Sequence, residues 1–187
     1  MQKKPRTSEI LLRGKNVLLR EKRLEDAPDD YRWRTDEELS RLDDAKPLTM
    51  TYEDFLDFYK EELRHPSHWS RRLAIEASDG THIGNCMYYD VDHIRHQTEV
   101  GIMIGEKGYW GRGYGTDAMS TLVDYIFGTT DLKRIYLHTL EWNARARNSF
   151  TKVGFQEVKL VPRNNNMFVQ MEMWRNGDRN HVRPSRG

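Results

Sequence analysis

Glycines at 111, 113 and 115 alternate within Trp110-Gly111-Arg112-Gly113-Tyr114-Gly115-Thr116. Such a run admits positive φ and close approach of another group to the backbone. With a helix starting directly behind it, the unpaired first-turn N–H groups and the macrodipole favour an anion such as a pyrophosphate. A plain structural turn has the same spacing, so the run alone leaves both readings open. It lacks the Gly-x-x-x-x-Gly-Lys-Ser/Thr pattern of a P-loop. It also lies mid-chain behind a hairpin, whereas a dinucleotide fingerprint follows the first strand of a parallel unit.

Other residue types offer further chemistry. Glu99 reads as a candidate base or a plain strand carboxylate. Tyr136 and His138 share one face of a strand by their period-two spacing, and His138 is a candidate base, a proton relay or a solvated imidazole. Asp92, His93 and His96 are metal-ligand types in a polar segment without a fourth partner, so no metal is expected. Cys86, the only cysteine, lies in the apolar-flanked run 83–88 and reads as a small buried residue rather than a nucleophile. A single cysteine forms no intrachain disulfide, which fits a reducing, cytoplasmic setting.

The elements that must hold these residues can be read along the chain. Asn16–Glu21 reads as a strand. Glu25–Thr35 reads as a helix, with Ala27, Tyr31 and Arg34 towards one side and Pro28 in its first turn. After an irregular stretch, Thr51 caps a helix over Tyr52–Arg64, in which Phe55, Leu56, Tyr59 and Leu63 recur at helical spacing. Arg72–Ala77 and His82–Asp90 form a hairpin around Ser78-Asp79-Gly80, and a polar connection leads to the strand Glu99–Ile104. Thr116–Phe127 is a helix with the apolar face Met119, Leu122, Val123 and Ile126, stopped by Gly128. Arg134–Leu140 is a strand, Asn143–Val153 a helix ended by Gly154, and Phe155–Val161 with Met167–Trp174 a hairpin around Asn164-Asn165-Asn166. Hairpins mixed with strand–helix–strand units imply an α+β fold with a mixed, mainly antiparallel sheet.

The 187 residues suit one domain. With 37% hydrophobic residues, five Trp, nine Tyr and six Phe, a packed core is expected rather than disorder. Basic residues crowd the start, so residues 1–10 read as a basic extension, 11–175 as the single domain and 176–187 as a polar tail. A net charge of +1 gives no general reason to expect nucleic-acid binding, and no apolar run reaches a membrane span of about 20 residues.

Three stretches in order resemble the GNAT acetyltransferases, in particular the branch of ribosomal-protein N-terminal and spermidine acetyltransferases. They are Glu99-Val100-Gly101-Ile102-Met103-Ile104, the turn with its flanks from Tyr109 to Ala118, and Asn143-Ala144-Arg145-Ala146-Arg147-Asn148-Ser149-Phe150-Thr151-Lys152-Val153-Gly154-Phe155. The resemblance implies the GNAT fold, with about seven strands and about four helices. It implies a sheet that splays where Glu99–Ile104 and Arg134–Leu140 part, with acetyl-CoA as co-substrate in the gap. Backbone groups of Ile102, Met103 and Ile104 would meet pantetheine, and amides of Arg112, Gly113, Tyr114, Gly115 and Thr116 the pyrophosphate. Asn143 and Lys152 would flank the CoA end of the second helix. Phe150 stands beside the thiol where many relatives carry a Tyr acid, and Phe cannot donate a proton.

N-acylation requires removal of a proton from an amine of pKa about 10, then stabilisation of charge on the thioester carbonyl. The candidates are Glu99 as base, His138 as base or relay, Met103 N–H as oxyanion donor and Ser149 as substitute proton donor. The acceptor is expected between the segment Tyr31–Met50, with Glu37, Glu38, Asp43 and Asp44, and the late hairpin. A small-molecule amine or a peptide N-terminus would suit that site, in a monomer or homodimer. A non-enzymatic CoA-binding module on the same fold is the alternative that Phe150 suggests.

Overall fold

The computed structural model describes residues 11–175 apart from His68. The basic extension and polar tail expected at 1–10 and 176–187 lie outside the described residues. Eight strands form one sheet: β1 Leu11–Arg13, β2 Val17–Glu21, β3 Arg71–Ala77, β4 His82–Asp92, β5 Gln97–Ile104, β6 Arg134–Leu140, β7 Gln156–Arg163 and β8 Asn166–Trp174. Five α-helices accompany them: α1 Ala27–Thr35, α2 Glu37–Leu42, α3 Tyr52–Arg64, α4 Tyr114–Thr129 and α5 Ala144–Val153. The order across the sheet is β1-β2-β3-β4-β5-β6-β8-β7. Every neighbouring pair is antiparallel except β5 and β6.

That one parallel pair shapes the molecule. β5 and β6 are in register only at Gln97–Arg134, Thr98–Ile135 and Glu99–Tyr136, and then separate. Beyond Glu99, the strand is paired on its β4 side alone, where Ile102 and Ile104 face Cys86 and Gly84. Gly84 allows this close pairing, because a Cβ there would sit 2.1 Å from the Met103 carbonyl oxygen.

The main core lies between the sheet and the helices α4 and α5. Met119, Leu122, Val123 and Ile126 repeat at helical spacing and are buried against Leu73, Ile75, Ile83, Val100, Ile135 and Leu137. Helix α4 begins at Gly113, whose φ of 88° places it in the left-handed region. It does not stop at Gly128 but runs to Thr129, where the Thr129 and Thr130 hydroxyls donate to the carbonyls of Tyr125 and Ile126. Intrahelical bonding past Gly128 outweighs the roughly 1 kcal/mol that glycine costs a helix. Helix α5 is capped by Asn143 Oδ1, which accepts from the Ala146 amide, and ends at left-handed Gly154.

The opposite face carries α1 to α3. In α1, Ala27, Asp30 and Trp33 are buried, rather than the expected Ala27, Tyr31 and Arg34. A charged residue faces inward here because it is met by partners. Lys22 Nζ lies 2.8 Å from Asp30 Oδ2, and Asn85 Nδ2 donates to Asp30 Oδ1 at 2.7 Å. Burial lowers the Lys22 pKa despite Asp30 and Asp26 beside it. Next to it, Arg20 forms a bidentate pair with Asp26 at 2.7 and 2.8 Å. Burial alone would raise the Asp26 pKa, but the Arg20 hydrogen bonds and the Arg23 amide bring it down to about 2. The strand count exceeds the expected seven by the three-residue β1, and the helix count exceeds four by α2, both too short for periodicity to reveal.

Candidate functional site

Side chains alternate along β5. Val100, Ile102 and Ile104 pack towards the core under α4, while Gly101 and Met103 line the α1–α3 side. Glu99 shares the latter side and sits at the fork, 8% exposed, where its backbone leaves β6. Its carboxylate is 2.7 Å from His138 Nδ1. Arg163, near the end of β7, donates to His138 Nε2 at 3.1 Å. A tautomer with Nε2 accepting from Arg163 leaves Nδ1–H to donate to Glu99. Tyr89 stands opposite Glu99 on β4 and Tyr136 beside it on β6. Burial and then the Glu99 charge raise both phenol pKa values, so both hydroxyls stay protonated, and that of Tyr89 is hydrogen-bonded to Glu99.

A cleft of about 360 Å³ opens along the separated edge of β5. Ile102, Met103 and Ile104 form one wall, and Asn143, Ser149, Phe150 and Lys152 of α5 and its cap form the other, so the structure brings these expected residues together. Gly113, Gly115 and Thr116 close one end. Gly111 and Gly113 both have positive φ, and nothing lies within 4 Å of the Cβ either would carry. The first intrahelical bond of α4 is Asp117 N–H to the Gly113 carbonyl. The amides of Tyr114, Gly115 and Thr116 therefore remain open at the helix start. Ser149 Oγ and Thr116 Oγ1 lie 2.8 Å apart, and Phe150 packs on Phe155.

Two expectations change. The Met103 amide cannot face the cleft: Gly105 N–H donates to Ile83 on β4, and strand alternation puts Met103 on the same side. The open N–H groups at the fork are those of Ile102 and Ile104. The Ile104 carbonyl is not free either, because Trp110 Nε1 donates to it at 2.7 Å. The side chain of Arg112, whose amide alone was expected at the pyrophosphate, does not line the cleft. It stacks 5.6 Å from the Tyr109 ring and 5.7 Å from the Tyr114 ring. Arg145 does line it, alongside Lys152, and sits 3.7 Å above the Trp110 ring centre. Arg145 was legible only as the second residue after the Asn143 cap.

A second chamber of about 470 Å³ lies on the α1–α3 side and meets the cleft at Asp43, Ile102 and Met103. Phe55, Phe58 and Tyr59 of α3 project into it, opposite Met87, Tyr89 and Gly101. Phe55 and Tyr59, which recur at helical spacing in the sequence, line this space. The expected acceptor segment is split. Asp43 reaches the junction, but Glu38 pairs with Lys107 at 2.7 Å and Asp44 accepts from Asn166 at 2.6 Å on the late hairpin. Glu37 borders a separate surface hollow with Asp44 and Trp142. His93 and His96 face Asp131 at 3.9 and 3.3 Å, and Cys86 is fully buried with its thiol pushed up to about 12 by desolvation. No helix among the described residues is long and apolar enough to cross a membrane.

Residues 16–156 match the family described as Acetyltransferase (GNAT) domain. Over 107 residues the chain is 30% identical to the spermidine N(1)-acetyltransferase of Escherichia coli, covering 56% of this chain and 55% of that protein. It thus spans about half the length of that relative. The structure of spermidine N-acetyltransferase from Vibrio cholerae in complex with CoA and spermine superposes with a TM-score of 0.74 at 19% identity, covering 85% of this chain and 95% of the other. Mycobacterium smegmatis RimJ in complex with CoA-disulfide gives 0.70 at 23% identity, covering 89% and 86%. Those two likenesses speak for the fold. The family match runs from β2 through the forked strands and α5 to the start of β7, and on it the chain belongs to the GNAT acetyltransferase family.

Proposed function

We propose that the protein transfers acetyl from acetyl-CoA to a primary amine by direct attack in a ternary complex. The observation that carries this reading is the fork itself. A cleft suited to CoA and a chamber for an acceptor meet at Ile102 and Met103, three and four residues beyond a carboxylate joined to an imidazole. The cleft residues suit the co-substrate. Left-handed glycines and three open helix amides suit a pyrophosphate, Arg145 and Lys152 suit further phosphate charge, and Ile102, Ile104 and Phe150 suit the pantetheine arm. Acetyl-CoA supplies an activated thioester.

In this reading Glu99 takes the amine proton, directly or through one water, while His138 holds the carboxylate and Arg163 fixes the tautomer. The amine nitrogen bonds to the acetyl carbon, the carbon–sulfur bond breaks and the thiolate leaves. The amide of Ile102 or Ile104, in place of Met103, stabilises the carbonyl oxygen. Phe150 supplies no proton, so the Ser149–Thr116 hydroxyl pair or water serves the departing sulfur, whose thiol pKa is near about 8.5. Cys86, buried and reduced, accords with a cytoplasmic setting.

The test is hydrolysis-corrected CoA release across amines and N-terminal peptides. Turnover with any acceptor supports the enzyme. CoA binding without turnover on the whole panel would favour the alternative reading, a CoA-binding module, which Phe150 motivates.

A further inference from the structure

The chamber has carboxylates in its walls, yet almost all are already matched. Asp30 is 5% exposed and held by Lys22 at 2.8 Å and Asn85 at 2.7 Å. Glu62 lies 3.2 Å from Arg72, itself a wall residue. Arg34 also lines the space. Counting Lys22 beneath Asp30, three cations balance the three carboxylates of the walls in number.

Asp43 differs from the other two. It has no ion pair within 4 Å and no side-chain hydrogen bond among the described residues, and Arg34 acts on it only at longer range. It is also the one carboxylate common to the chamber and the CoA cleft. Solvent reaches it through the opening, but the surrounding protein is dense enough that desolvation raises its pKa. A carboxylate so placed gains by meeting an ammonium.

Most of the remaining walls are apolar, formed by Leu48, Met50, Phe55, Phe58 and Met87, with the Tyr59 and Tyr89 rings beside them. Phe58 leaves 65% of its surface exposed at the rim, available to an apolar partner. The Phe55 ring is in contact with Tyr31 and Tyr59, at 5.3 and 5.7 Å between centres, so it is not free to wrap a cation. A second or third ammonium would lie against apolar walls, Arg34 or Arg72, and a buried charge without a partner is costly.

Resting on the acetyltransferase reading, we propose that the chamber takes a primary amine with a single positive charge beside a bulky apolar group, anchored by Asp43 where the chamber meets the cleft. A peptide beginning with a large apolar residue and a free aryl-alkylamine share this chemistry. A polyamine does not.

Two measurements test it on the full chain. The first is kcat/KM with saturating acetyl-CoA for uncharged peptides starting with Phe, Leu or Gly, for phenethylamine and for spermidine. A Phe- or Leu-first peptide or phenethylamine is expected to exceed spermidine by about 10- to 100-fold, the effect of one missing or misplaced charged contact. The peptide and phenethylamine arms tell the two sources apart. The second is calorimetric binding of phenethylamine and spermidine to the CoA-bound protein, which reads chamber preference without turnover. No turnover with preference for phenethylamine sinks the enzyme reading and leaves the chamber assignment standing. Turnover or binding that favours spermidine overturns the chamber assignment alone, as does failure of every amine to bind. Asp43→Asn should raise KM for the preferred amine about 10-fold or more with kcat within about 3-fold, and Asp43→Glu should restore part of it. An unchanged KM in a folded D43N variant removes Asp43 as the anchor.

Discussion

Gly113 is the residue at which strain and charge can be separated by two substitutions. It caps α4 at φ 88°, and a Cβ there meets nothing within 4 Å. Gly113→Ala therefore adds conformational cost without a clash, about 1–2 kcal/mol for an L-residue held left-handed. In a chain of 187 residues that lowers Tm by about 2–8 °C. Gly113→Glu adds the same strain and also places a carboxylate at the open amides. At about 5 Å from a phosphate with an effective dielectric near 20, the repulsion is about 3 kcal/mol, or about two orders of magnitude in affinity. Calorimetry with CoA reads affinity, and a thermal melt without ligand reads strain. The two variants should melt alike, while the Glu variant binds CoA about 100-fold more weakly than the Ala variant. If a folded Gly113→Glu protein binds CoA as tightly as Gly113→Ala, no phosphate lies at this turn.

Asp26 should make the fold sensitive to acid. Its native pKa of about 2 lies below the ordinary 3.8, so its stabilisation is complete above pH about 4 and is lost as pH falls from about 4 to about 2. At 1.36 kcal/mol per unit this loss is about 2 kcal/mol, readable by urea unfolding at pH 5, 3 and 2, and the Asp26→Asn variant should lack that part of the slope. Gly105→Ala drives a Cβ to 2.1 Å from the Trp33 ring, which is 1% exposed, and should cost about 1–3 kcal/mol. Gly128→Ala, in open space inside α4, should instead add up to about 1 kcal/mol, and a loss there would contradict the continuous helix. Glu99→Gln should lower kcat by about 10²–10⁴ with little change in Tm, and an unchanged kcat rules out the base role.

The glycine turn, the Glu99 strand and the Asn143 helix were legible because each has a local cause in residue type and spacing. Their meeting place followed only from the family resemblance and not from the residues alone, since it depends on pairing between β5 and β6 that stops after Glu99. The direction of the Met103 amide follows from register, which composition does not encode. α2 has six residues, held by the Asp36 cap to Leu39 rather than by an apolar stripe, so periodicity passed over it. The buried place of Asp30 left no local signal in the sequence, because its partners, Lys22 and Asn85, lie 8 and 55 residues away. The aromatic spacing of α3 was seen, but spacing does not distinguish a side chain filling a core from one lining a space.

The three-residue seam between β5 and β6 also has a consequence for how the chain opens. It divides the sheet into two leaves, β1 to β5 and β6 to β8, each laced by longer antiparallel ladders. Such leaves are natural units of sub-global unfolding. A ligand arm lying along the free edge of β5 acts as a temporary strand between them. Amide exchange at Ile102 and Ile104 should then slow when CoA binds, while the β3–β4 ladder, distant from the seam, keeps its own rate.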